Sequence, residues 1–128
     1  MLDKSPSFRE FWAHYLLHHQ HPMTRLWHSI GSVICIVGVV TGLVLGSIWP
    51  VIGALFVGYL CAFTGHWWIE RNRPLTFQYP ILAGICNWRL FAVECRALFG
   101  FGSFQKVLAA ALALAPALGC RDIDPGAQ

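Results

Sequence analysis

Residues 65–74 read Gly65-His66-Trp67-Trp68-Ile69-Glu70-Arg71-Asn72-Arg73-Pro74. Here a long apolar run stops and a basic, turn-prone segment begins. His66 and Glu70 stand four residues apart, a spacing that puts both on one face of an α-helix. Asn72-Arg73-Pro74 reads as the stop of that helix. Most of the chain before it can be read as a way of bringing further histidines to this point.

Working back from His66, an apolar run over 51–69 reads as one membrane span, and 25–49 as another. From Leu26 to Trp49 there is no ionised residue, enough to cross about 30 Å of hydrocarbon. Trp49-Pro50 is the expected turn of a transmembrane hairpin. Gly38, Gly42 and Gly46 repeat every four residues, a pattern that lets a second helix approach closely. Gly53 and Gly58 are expected to face the first span, and Thr24 to cap it.

The composition agrees. Hydrophobic residues make up 56% of the 128 residues and charged residues 12%, against about 25% charged in a soluble chain. The expected fold class is all-α, an integral membrane helical bundle forming one domain over 1–128. The net charge of +3 is small, and its basic residues lie beside apolar runs. That pattern suits lipid headgroups and argues against nucleic acid. Five cysteines without a C-x-x-C pair give neither a disulfide framework nor a zinc knuckle. The N-terminus lacks an uninterrupted apolar core and does not read as a cleaved signal.

An N-terminal amphipathic helix is expected over 6–20, capped by Ser5 or Ser7. Phe8, Phe11, Trp12, Tyr15 and Leu16 recur at three- and four-residue spacing and suit a helix lying at the membrane interface. His21-Pro22 breaks it. Two further apolar helices follow, over 80–101 and 104–118. The first is interrupted by Asn87, Arg89, Glu94 and Arg96, and a polar tail runs from Arg121 to Gln128.

Lys4, Arg9 and Arg25 precede the hairpin and Arg71 and Arg73 follow it. The positive-inside rule puts both of its ends in the cytoplasm. His28 lies about 20 residues before the turn and His66 about 16 after it, or roughly 30 Å and 24 Å at 1.5 Å per residue. The two therefore reach a similar depth, with His19 and His21 just ahead of the first span. Imidazoles and a carboxylate gathered there suit a divalent transition metal, Fe(II) or zinc. The same residues also fit a plainer pattern, with histidines meeting headgroups, Glu70 in a surface ion pair, and Trp67 and Trp68 in an interfacial belt. His14, His18 and His19 look like one histidine box of the membrane di-iron hydroxylases, but no second box accompanies them.

Two motifs carry a family resemblance. Tyr15 to Gly31 reads YLLHHQHPMTRLWHSIG, and Gly65 to Pro80 reads GHWWIERNRPLTFQYP. They resemble a family of small membrane proteins, fungal and bacterial, tied to 2-hydroxy fatty acid dioxygenases, over about residues 8–100. Thr24 stands where many members have Asn, and Cys86-Asn87 where many have Gly-Asp. The resemblance implies an Fe(II)-dependent dioxygenase that shortens 2-hydroxy long-chain fatty acids by one carbon, a step of fatty acid α-oxidation. It implies His19, His28 and His66 as metal ligands and Glu70 as a catalytic residue, either a fourth ligand or the acceptor that orients His66. Arg25, Arg73 and Asn72 would bind substrate, with the acyl tail between the glycine-rich spans. The partners implied are the fatty acid, O₂ and membrane lipid, and an oligomer is compatible. The expected location is a bacterial inner membrane with the histidines at the cytoplasmic face. The competing class is a non-catalytic lipid-binding or scaffold protein of the membrane.

Overall fold

The structure, a computed structural model, describes residues 6–115. Ser5, residues 116–118 of the last expected helix, Cys120 and the polar tail lie outside the described residues. The described residues form five α-helices and no strand.

Helix α1 spans Phe8–Leu17. Ser7 caps it in a reciprocal box: Ser7 Oγ accepts from the Glu10 N–H, and the Glu10 carboxylate accepts from the Ser7 N–H at 2.8 Å. Every residue from Phe11 to Leu16 is buried. The expected N-terminal helix forms over a shorter range than 6–20. Its aromatic face is covered by protein, packing on α4 (Pro80–Leu98) and α5 (Phe104–Leu114). Phe11, Trp12, Tyr15 and Leu16 join Leu90, Cys86, Phe104 and Leu108 in one core. The Arg89 guanidinium covers that core's edge, 4.6 Å from the Trp12 ring.

Helix α2 spans Pro22–Leu45. It begins earlier than expected, and its cap is His21 rather than Thr24. His21 has the extended backbone that a following proline imposes, and its Nδ1 accepts from the Met23 N–H at 3.1 Å. Helix α3 spans Trp49–Thr64 and continues as a π-helical stretch over Gly65–Glu70. Pro22–Leu45 and Trp49–Glu70 are each long and apolar enough to cross a membrane, with mean hydropathies of 2.1 and 1.4.

α2 and α3 pack along glycines. A Cβ on Gly38 would collide with Ala54 Cβ, and one on Gly31 would sit 2.8 Å from the Gly58 carbonyl oxygen. Two glycines expected at this contact do other things. Gly46 ends α2 in the left-handed conformation, φ 60, and Gly53 has open space around its Cα hydrogen. Replacing Gly38 by Leu should therefore destabilise the hairpin by about 3 kcal/mol, the upper end for overpacking. Gly53→Leu should leave the thermal midpoint nearly unchanged. Equal losses in both would show that the packing contact is not the cause.

Candidate metal centre

Three histidines meet from three segments. His19 lies in the link between α1 and α2, His28 two turns into α2, and His66 in the π-helical stretch. The Nε2 atoms of His19 and His28 are 3.2 Å apart, as are those of His28 and His66. The three rings meet edge to face, at 79° to 88°. They are 0%, 7% and 2% exposed.

The remaining nitrogens fix the tautomers. His19 Nδ1 is 2.6 Å from the Tyr15 carbonyl, which can only accept, so Nδ1 carries the proton. Asn72 donates Nδ2–H to the His18 carbonyl, and this turns its Oδ1 toward His66 Nδ1 at 2.7 Å. Ser32 donates its hydroxyl to the His28 carbonyl, so it accepts from Asn87 Nδ2. Asn87 Oδ1 then faces His28 Nδ1 at 2.9 Å. Each imidazole thus has its proton on Nδ1 and a bare lone pair on Nε2. Three lone pairs pointing at one another repel unless a cation lies among them. Ligand histidines are commonly held this way, with the far N–H bound to a protein oxygen.

His19 also stays neutral. Burial, then the neighbouring His28 and His66, push it well below the ordinary histidine range. The Tyr15 ring stacks on it at 4.1 Å, 22° from parallel.

Three of the other expected site residues, Glu70, Arg25 and Asn72, converge on a different target, the backbone of the link that carries His19. Glu70 Oε1 accepts from the His21 N–H at 2.7 Å. Arg25 Nη1 donates to the carbonyls of His19 and Gln20 at 3.2 and 2.6 Å, while its Nε pairs with Glu94 at 2.7 Å. Asn72 holds the His18 carbonyl. The acceptor that orients His66 is Asn72, and Glu70 is not among the converging ligand atoms. The reason is local. An i→i+5 helix winds wider than an α-helix, so residue i+4 no longer stacks over residue i. The stretch ends at Arg71 in the left-handed region, φ 55, and the Asn72 N–H closes on the His66 carbonyl at 3.0 Å. That return brings the Asn72 side chain over His66. Arg73 is exposed. Arg25→Gln should weaken metal binding about tenfold, as loss of an outer partner does, measured by competition with a chelator. Unchanged affinity would mean that the link holds His19 without it.

A cleft of about 110 Å³ opens beside His28 and His66. Tyr15, Ser32, Thr76 and Asn87 line its polar part, and among the described residues no carboxylate, lysine or arginine lines it. In the sequence Asn87 stands out as a polar interruption of an apolar helix and, with Cys86, as a departure from the family's Gly-Asp, neither of which points to His28.

The family described as 2-hydroxy-palmitic acid dioxygenase Mpo1-like matches residues 5–114. The chain belongs to the Mpo1-like family. The match takes in all three histidines with Asn72 and Asn87. No curated protein and no solved structure matches the chain. As a member of the Mpo1-like family it carries a buried histidine triad that could hold a metal ion.

Proposed function

We propose that this Mpo1-like protein is an Fe(II)-dependent dioxygenase of 2-hydroxy long-chain fatty acids that shortens them by one carbon. One observation carries the reading: three Nε2 lone pairs converge with no proton between them, while every Nδ1–H is bound to oxygen. His19, His28 and His66 would hold the ion on one side and leave its other side toward the cleft. Fe(II) supplies a Lewis-acidic, redox-active centre at which O₂ chemistry becomes accessible. Zinc accepts the same ligands but is not redox-active, and a dioxygenase, as the family is described, calls for a redox-active ion.

Three neutral imidazoles leave the +2 charge of the ion uncompensated, and no carboxylate among the described residues lines the cleft. An anionic substrate head therefore fits, and the carboxylate with its adjacent hydroxyl supplies two oxygen donors. The Tyr15 hydroxyl, pushed well above the ordinary tyrosine range by burial, stays protonated as a donor at the cleft wall. Asn72 and Asn87 hold the ring orientations.

Membrane insertion belongs to the same reading. Large apolar side chains stay exposed along both long helices, Leu43, Val44 and Phe56 among them. Such a surface suits lipid. The basic flanks favour the cytoplasmic face for the histidines. The non-catalytic alternative, with histidines meeting headgroups, is disfavoured because the three rings turn inward and are almost wholly buried.

The test is anaerobic purification, iron loading and exposure of 2-hydroxypalmitate to O₂. Stoichiometric iron and an oxygen-dependent product one carbon shorter are expected. A well-folded protein that takes up no iron, or holds iron and leaves the substrate intact, would overturn the assignment.

A further inference from the structure

The glycine contacts between α2 and α3 leave no room for an acyl chain between those helices, which corrects the passage expected from sequence. Another passage exists. α4 packs on α2 but scarcely on α3. The cleft beside His28 and His66 runs in that gap, floored by Gly31, Ser32 and Cys35 of α2. Its inner end is polar. Its outer end is formed by Leu55, Tyr59 and Trp88, which are 47%, 46% and 46% exposed. From His66 back to Leu55 is a helical distance of roughly 16 Å, so the groove leads away from the triad along the apolar length of α3.

Gly84 lines this groove from α4. A Cβ built there meets nothing within 4 Å, and its backbone is not left-handed. Neither packing nor backbone conformation requires glycine at this position. Its effect is to leave the groove open. Gly53 has equally open surroundings, but Gly84 differs in lining the groove, where any larger side chain would enter its space.

We infer that the groove between α3 and α4 carries the acyl chain of an amphiphilic 2-hydroxy acid, and that Gly84 determines whether a long chain fits. The inference rests on the dioxygenase reading for the position of the head group. The cleft's 110 Å³ is several times the ~10–15 Å³ that holds one water, room for the head and first carbons. The rest of the tail lies along the exposed flanks of α3 and α4. A substrate can then reach the triad sideways from lipid without drawing its tail into water.

The test uses the full chain, loaded with Co(II), in lipid nanodiscs. The probe is 2-hydroxypalmitate with a mid-chain diazirine. Light should attach it to Leu55, Tyr59 or Trp88 in the unaltered protein. Gly84→Leu should cut that labelling about tenfold or more, the scale at which a pocket rejects excess bulk, and Gly84→Ala should fall between. Metal content should not change. 2-Hydroxybutyrate, which has almost no tail, should still perturb the visible Co(II) spectrum of Gly84→Leu. Labelling on other helix faces, or undiminished labelling of Gly84→Leu, would overturn the proposal. Groove labelling in a protein that transforms no 2-hydroxy acid would remove the dioxygenase reading and leave the groove standing.

Discussion

A His28→Ala protein is expected to purify without bound metal. His28 is the middle member of the triad, with Nε2 3.2 Å from the Nε2 of each neighbour. Removing it leaves two imidazoles, too few for a closed protein face on the ion. Altering the groups that merely orient a ligand costs about 10–100-fold in metal affinity, so loss of the ligand itself should exceed about 100-fold. Metal analysis after equilibration with a chelating buffer gives the number. Circular dichroism tests whether the helices persist, as they should, since the α2–α3 contact lies further along the hairpin. Imidazole added to the medium should enter the vacated space and restore part of the binding. A His28→Ala protein that keeps full metal through the chelating buffer would show that the ion sits elsewhere.

Asn72 tests the tautomer logic directly. Asn72→Leu removes the oxygen that holds His66 Nδ1–H and releases the His18 carbonyl as well. His66 can then place its proton on Nε2, where it blocks coordination. The expected cost is about 10–100-fold in metal affinity. Asn72→Asp separates the two roles. It keeps an acceptor for His66 and sets a carboxylate oxygen against the His18 carbonyl, so metal binding should largely persist while the link carrying His19 loosens. Faster amide exchange confined to residues 18–21 would show that loosening. Equal metal affinity in wild type and Asn72→Leu would mean that His66 needs no acceptor.

Both variants show how much of the site could be read in advance. The family motifs singled out Asn72 as a substrate contact, and the structure shows it bonding a histidine and the loop beside it. Arg25 and Glu70 differ in the same way. All three read in the sequence as polar groups near the histidines, and all three end on the backbone of residues 18–21. A sequence shows that donors and acceptors are close but not which backbone groups need them. A short link carrying a metal ligand between two helices has many such groups, and Arg25, Glu70 and Asn72 satisfy them.

The sequence by itself determined the helical hairpin and the matched depth of His28 and His66. Two arms of a hairpin rise about 1.5 Å per residue from a common turn, so residue counting measures height. It also marked the helix breaks at His21-Pro22 and Asn72-Arg73-Pro74. Only the tertiary structure decided what lies around those heights. The π-helical stretch replaced the expected pairing of His66 and Glu70, because its wider turn shifts every neighbour of His66 around the axis. The burial of α1 came from α4 and α5 closing over its aromatic face, a contact between segments more than sixty residues apart that no local period encodes. The same closure set Asn87 against His28 and left the groove between α3 and α4 open at Gly84.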